Sequence, residues 1–312
     1  MTKSIAVIGE AVADAVAEPS ATDGALRLEV RPGGGPANTA VALARLGSPT
    51  RFFGRLSGGV LGQLLRTHLE KSMVDLSGSV TERREATLAI AAIDDSGGAA
   101  YDFYIDGTAD WQWNEDELAA AATSSVVHTG SLALVLSPGA EAITATLRKA
   151  RPRATVSIDP NVRPAIASAE RYRRGLDAWA SLADILKLSQ DDLDFTHPDT
   201  DARRLCERWH TLGCRLIVIT RGAHGAVASL DGEWVKVAAR RVHVADTIGA
   251  GDAFTAGLLH RLTVRGHHGG RLDRLDLATL TDALELAALV AARCCEVPGA
   301  DPPWIGQLGP GH

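Results

Sequence analysis

Residues 4–9 read Ser4-Ile5-Ala6-Val7-Ile8-Gly9, and the four positions between the polar serine and the glycine are all apolar. A run of strand length with no polar position to mark a solvent face is the pattern of a strand buried on both sides, as in a parallel sheet. Outward from it the pattern alternates. Residues 36–46 (PANTAVALARL) read as a helix, with Pro36 in the first turn, apolar residues recurring at three and four, and Gly47 as the stop. Strand patterns follow at 51–56, 126–129, 155–159, 185–188 and 216–220, and helical patterns at 62–72, 139–150, 169–180 and 201–212. Two more apolar helices are expected at 252–262 and 275–292. Strands separated by helices predict an α/β fold: a doubly wound, mainly parallel sheet with helices on both faces.

Two stretches break the alternation. Residues 25–30 (ALRLEV) and 86–105 have strand character with no helix between, and ATLAIAAID, the turn DSGG and AAYDFYI together predict a hairpin. These strands are expected to form a small sheet projecting from the body; an extension of the main sheet's edge is the alternative that periodicity leaves open. No internal repeat, low-complexity tract or domain-length linker interrupts the 312 residues, so a single domain is expected.

Composition narrows the classes of function. With 32 Lys+Arg against 38 Asp+Glu, the chain carries −6, which argues against a general nucleic-acid surface. Its 46% apolar content argues against disorder. No window approaches 18 uninterrupted apolar residues and the N-terminus lacks a signal-peptide pattern, so no membrane partner and a cytoplasmic protein are expected. Cys206, Cys214, Cys294 and Cys295 make no CxxC pair and read as small buried thiols in helices rather than a disulfide framework or zinc site. The adjacent His267 and His268 read as part of a solvated loop, not a metal site. Gly, at 31 residues, exceeds the usual ~7% and clusters in short loops, as though particular turns need bare backbone.

The strongest chemical signal is Val244-Ala245-Asp246-Thr247-Ile248-Gly249-Ala250-Gly251-Asp252-Ala253-Phe254, where a strand-like VHVA (242–245) runs into a glycine-rich turn and then an apolar helix. Small residues at Gly249, Ala250 and Gly251 let backbone N–H groups converge at a helix N-terminus, which is an anion site suited to a phosphoryl group. Asp252 beside it is electrostatically awkward unless it accepts a proton from an attacking hydroxyl, and the helix terminus is expected to keep it ionised. Alone, the motif also admits a second account in which Asp252 caps the helix and the glycines only turn. The chain has no GxxxxGK[ST], so a P-loop kinase is disfavoured, and no GxGxxG follows the first strand, which disfavours a nicotinamide oxidoreductase.

Taken with the other motifs, the chain resembles the ribokinase-like sugar kinases (the PfkB family), and their fructokinase branch most closely. Arg31-Pro32-Gly33-Gly34-Gly35-Pro36-Ala37-Asn38 looks like the family's N-terminal signature and residues 246–254 like its C-terminal one. Between them Thr129-Gly130-Ser131-Leu132, Asp159-Pro160-Asn161-Val162-Arg163 and Thr220-Arg221-Gly222-Ala223-His224-Gly225 fall in the expected order. The openings GEAVAD (9–14) and GTADW (107–111) add to the likeness with fructokinases.

The resemblance implies an ATP-dependent carbohydrate kinase acting on a primary hydroxyl, with fructose preferred over 2-keto-3-deoxygluconate, ribose or a nucleoside. Asp252 would be the base, with Gly249, Ala250 and Gly251 stabilising the moving phosphoryl. Asp14, Gly34, Gly35, Asn38 and Arg163 would hold the sugar, although a helix cap for Asp14 and a surface position for Arg163 are also consistent with the sequence. Lys187, Ser189, Thr220, Gly222 and Gly225 would meet the nucleotide. Asp192 would orient water on Mg²⁺, and Asp246 with the Ile248 carbonyl would match a monovalent-cation loop, K⁺ in some members. Ser189 and Asp192 stand where the family often has Asn and Glu, and Gly58 and Gly59 where relatives carry acids. The projecting strands would act as a lid, and as a contact in a homodimer. Tyr101, Phe103 and Tyr104 would either face the sugar, Tyr104 foremost, or fill the lid, and Trp111 and Trp113 would pack its hinge. A non-catalytic sugar-binding protein on the same fold is the rival from a different class.

Overall fold

The computed structural model describes residues 4–19, 25–93 and 99–309. Strand β1 (Ile5–Ile8) is buried throughout, and its alternate side chains part into two layers, Ile5 and Val7 into one and Ala6 and Ile8 into the other. The chain then leaves the main sheet for the antiparallel pair β2 (Val12–Pro19) and β3 (Leu26–Gly33), and returns through α1 (Gly35–Arg45) to β4 (Thr50–Phe53). Strand β5 (Arg55–Ser57), α2 (Val60–Lys71) and β6 (Val80–Glu82) build a small parallel pair, and β7 (Leu88–Ile93) and β8 (Ala99–Tyr104) complete the sheet begun by β2 and β3.

Past the short α3 (Glu115–Leu118) the alternation is regular: β9 (Val126–Gly130), α4 (Gly139–Ala150), β10 (Thr155–Asp159), α5 (Ala169–Leu182), β11 (Ile185–Ser189). Helices α6 (Gln190–Thr196) and α7 (Ala202–Leu212) lead to β12 (Leu216–Thr220), followed by the hairpin β13 (Ala226–Leu230) and β14 (Glu233–Val237). Helices α8 (Ala250–Val264) and α9 (Leu277–Cys295) finish the fold.

The main sheet has the order β14-β13-β12-β11-β10-β9-β1-β4, with every strand running the same way except β13, which is antiparallel to both β12 and β14. Helices α1, α8 and α9 pack on one face; α4, α5 and α7 cover the other. Nearly every residue of α8 from Asp252 to Thr263 is buried, so this helix lies inside the fold and needs no polar stripe. Strand order reverses at β1, which leads to β4 on one side while β9 to β12 extend on the other, and such a reversal opens a crevice at the strands' carboxyl ends.

The second sheet is separate, with the order β3-β2-β7-β8, so the projecting sheet forms and is not an edge extension. Its register decides what faces what. Asp14 lies beside Ala89, and Ala89 beside Phe103, so these three share one face; Tyr104, opposite Leu88, belongs to the other face with Leu28 and Val30.

Several expectations change. The VHVA stretch forms no strand: it is loop, joined to the end of α9 by the N–H of Ala245 donating to the Cys295 carbonyl at 2.8 Å. Asp14 sits inside β2, not at a helix start. Trp111 and Trp113 meet edge-to-face at 6.3 Å in the core, where they pack against Gly139 of α4. Cys214 follows α7 in a loop rather than a helix. The DSGG turn and the Tyr101 side chain lie outside what is described.

Candidate active site

Helix α8 begins at a left-handed Gly249 (φ 76°), where a Cβ would stand 2.6 Å from that of Ala300. The first turn leaves the N–H groups of Gly251 and Asp252 with no protein acceptor among the described residues, while Ala253 N–H already bonds Gly249. The free donors of the anion cradle at the positive end of this buried helix are thus Gly251 and Asp252 rather than the expected set of Gly249, Ala250 and Gly251, since Ala250 N–H already donates to the Thr247 carbonyl at 3.3 Å.

Asp252 points inward and is 8% exposed. Its Oδ2 accepts a hydrogen bond from Asn38 Nδ2 at 2.9 Å, a contact between residues 214 apart in sequence. Burial pushes its carboxyl up to about 7; the charge of Asp159 adds to the rise, and Asn38, Lys187 and Arg163 oppose it. Burial and the Asp159 charge thus work against the expected ionisation of Asp252. A carboxyl poised near neutrality is better matched to taking a proton from an alcohol.

Beneath the cradle lies a buried ion pair absent from the sequence reading. Lys187 Nζ is 2.7 Å from Asp159 Oδ2, with both side chains 6% exposed, and Thr255 Oγ1 donates to the same oxygen at 3.1 Å. Burial alone would lower the Lys187 ammonium, but Asp159, with Asp252 and Asp192 beyond it, holds it above its ordinary value. A Cβ on Gly251 would come within 3.1 Å of Lys187 Nζ, so the ammonium lies directly under the small residues of the turn. His128 on β9 bonds Ser157 Oγ at 3.0 Å and is lowered to about 3 by burial and the Lys187 charge, so it is neutral beneath the site. Asp159 heads the motif Asp159-Pro160-Asn161-Val162-Arg163, which was its available signal; nothing in the sequence points to Thr255 or His128.

The turn before α1 forms the opposite wall. Gly34 takes φ 96° with a Cβ position 2.9 Å from the Glu10 carbonyl, and one on Gly35 would sit 3.0 Å from Asn161 Nδ2 and 3.3 Å from Asp252 Oδ1. On Gly33 it would fall 1.9 Å from Asp14 Oδ2, so the Asp14 carboxylate lies flat on that glycine. Burial raises Asp14 to about 6 against the attraction of Arg163. Arg163 is exposed, its Nη1 held 2.7 Å from Asn161 Oδ1, and its charge acts on both Asp14 and Asp252. The cleft thus brings Asp14, Gly34, Gly35, Asn38, Arg163 and Asp252 together. Tyr104 is not among them, being 57% exposed on the far face of the lid.

Farther along the same edge are the other candidates. Ser189 and Asp192 form a capping box at α6, Asp192 Oδ2 accepting from Ser189 N–H at 2.7 Å and Oδ1 from Val162 N–H at 2.9 Å. Burial pushes Asp192 up in spite of these donors. Thr220, beside Ser189 in register, opens a turn closed by Arg221 N–H to Gly225 O at 2.8 Å, with Gly222 within it. Asp246 accepts from the N–H groups of Ile248 at 3.0 Å and Gly299 at 2.8 Å; burial would raise it, yet these donors hold it below the ordinary carboxylate range. The Ile248 carbonyl lies 3.7 Å from Cys294 Sγ. Among the described residues no group of His, Cys, Asp and Glu forms a metal cluster by itself, and no helix is long and apolar enough to cross a membrane.

Known proteins resemble this chain in sequence and fold. The profile of the pfkB family carbohydrate kinases matches residues 2–305. A fructokinase of Rhizobium leguminosarum bv. trifolii is 36% identical over 74% of this chain and 71% of its own, and one of Salmonella typhimurium is 31% identical over 96% and 95%. The crystal structure of Xylella fastidiosa fructokinase with bound ATP superposes with a TM-score of 0.88 at 28% identity, covering 99% of this chain and 98% of that one. A match running from the first strand past the last helix, together with a cleft that places an acid beside a helix-terminal cradle, makes this chain a sugar kinase of the PfkB family.

Proposed function

We propose that the protein is an ATP-dependent fructokinase that phosphorylates a primary hydroxyl of fructose. The observation that carries this reading is Asp252, buried in the first turn of α8 and bonded by Asn38 from the helix that follows the Gly34 turn, with the Arg163 charge reaching both it and Asp14. Asp14 and Arg163 orient the sugar with the Gly34 and Gly35 backbone, and Asn38 fixes the Asp252 rotamer. The attacking hydroxyl loses its proton to Asp252 as its oxygen bonds phosphorus and the bond to ADP breaks. The free N–H groups of Gly251 and Asp252, backed by Lys187, meet the negative charge of the moving phosphoryl. Bound Mg²⁺ would supply charge neutralisation along the nucleotide phosphates. Asp192, whose two oxygens each already accept a backbone N–H, would meet it through water. Ser189, Thr220, Gly222 and Gly225 are the nucleotide's neighbours, and Asp246 and Ile248 the backbone-pinned loop for a monovalent cation such as K⁺.

The far face of the lid exposes Leu26, Leu28 and Tyr104 at 62%, 40% and 57%, an apolar surface that supports a homodimer through the lid. Four thiols with no disulfide among the described residues suit a cytoplasmic setting. The test is ADP release with Mg-ATP over fructose, 2-keto-3-deoxygluconate, ribose and nucleosides. Fructose is expected to give the highest kcat/KM; a tenfold preference for another acceptor would overturn the assignment, and sugar binding without ADP release would favour the non-catalytic reading.

A further inference from the structure

The GEAVAD and GTADW stretches place two acids, Glu10 and Asp110, in the interior, each 1% exposed. Neither belongs to the phosphoryl site. Both lie where the chain passes between the main sheet and the lid, a passage made at residues 9–11, at Gly34, at 86–87 and at 105–110. Asp110 ties three of these together: Oδ1 accepts from Ala11 N–H at 3.4 Å, Oδ2 from Thr87 Oγ1 at 2.7 Å, and Thr87 Oγ1 lies 2.9 Å from Thr108 Oγ1. Glu10, next to Ala11, reaches the other way and accepts from Leu132 and Ala133 N–H at 3.4 and 3.2 Å. Its backbone carbonyl abuts Gly34, and it also bonds Ser131, a residue with positive φ (58°) beside Gly35.

We infer that Glu10 and Asp110 are positioning residues for the sugar, two buried carboxyls whose hydrogen bonds fix the lid's roots and so set where Asp14 and the Gly34 turn stand. The reading rests on the assignment of Asp14 to the sugar. Two carboxylates so placed cannot both ionise cheaply. Burial pushes Asp110 up to about 7, with the charge of Glu10 contributing, and burial raises Glu10 as well. Among the described residues no Lys or Arg pairs with either acid; the other titratable groups in view are the Tyr172 phenol of α5, which senses Glu10, and Asp14 three residues beyond Ala11. Tyr172 Oη in turn accepts from Arg163 N–H at 3.1 Å, so the pair adjoins both sides of the sugar cleft.

The sign follows from the raised carboxyls. Asp110 is comfortable protonated and strained when ionised in the dry interior near Glu10, so the lid roots loosen as pH rises above about 7. The experiment measures KM for fructose and for ATP, and kcat, from pH 6 to 9 in the parent, Asp110→Asn, Glu10→Gln, Asp110→Ala and Asp14→Asn. In the parent the fructose KM is expected to rise about tenfold between pH 7 and 9 while the ATP KM moves less than about twofold. Asp110→Asn keeps the Ala11 hydrogen bond and, with Thr87 Oγ1 turned to accept, the second one too, and is expected to flatten that rise below about twofold. Glu10→Gln removes the charge but loses one of its two backbone donors, and is expected to flatten the rise from a higher starting KM. Asp110→Ala strands Thr87 and Ala11 and is expected to raise the fructose KM about tenfold at every pH. A parent KM flat from pH 7 to 9, or a rise that survives in Asp110→Asn, overturns the inference. So does an Asp110→Ala protein of lowered melting temperature whose two KM values are unmoved. An Asp14→Asn protein with parental fructose KM would instead remove Asp14 from the sugar site, an outcome separate from the others.

Discussion

Asp252→Asn separates the chemistry of the site from its electrostatics, because the amide keeps the shape of the side chain and its bond from Asn38 but cannot take a proton. Loss of a general base costs about 10²–10⁴ in rate, or roughly 2.7–5.4 kcal/mol of barrier. The same change should stabilise the protein. The Asp252 carboxyl is raised from 3.8 to about 7, a shift equivalent to about 4 kcal/mol at 1.36 kcal/mol per pH unit. A group raised in the folded state lends stability that is present below its unfolded value and is lost as pH climbs through its folded one. The gain of the variant over the parent is therefore expected to be small at pH 4, to grow to pH 7, and to level off above it. Coupled ADP-release kinetics with fructose and urea denaturation at pH 5, 6, 7 and 8 read both effects on one preparation. Turnover within threefold of the parent would remove Asp252 from proton transfer; a stability difference flat across that range would remove the buried charge from the account. The parent's kcat should also fall with pH below about 7, approaching tenfold per unit once Asp252 is mostly protonated.

Other consequences are as direct. Lys187→Met leaves Asp159 buried without its ammonium and should cost about 3–5 kcal/mol in urea denaturation. Gly33→Ala puts a methyl where the Asp14 carboxylate rests and should raise the fructose KM at least about tenfold with the ATP KM little changed, read by initial-rate kinetics. Asn38→Ala frees the Asp252 rotamer and removes a hydrogen bond that favours its ionised form. It should lower kcat about tenfold and shift the acid limb of the pH profile upward.

The fold and much of the site can be read from local pattern. Apolar runs such as 5–8 and 216–220 cannot face water on either side, and helices between them force parallel pairing, so the layered architecture follows from burial alone. The glycines at 249 and 251 and the acid after them announce a helix-terminal anion site because that property is built from neighbouring backbone groups. What local pattern cannot carry is any quantity that depends on what folding brings near. Tyr104 and Phe103 are adjacent in sequence, and a one-residue difference in strand position puts one under the lid and the other outside it, a choice made by register with β7 and β2. The helix terminus argues for an ionised Asp252, yet the tertiary structure excludes water and sets Asp159 nearby, which reverses the direction of its shift. Asn38, Asp159 and Lys187 reach that carboxyl from three distant segments, and only the assembled core brings them there, since electrostatic influence depends on distance and dielectric in space rather than on separation along the chain.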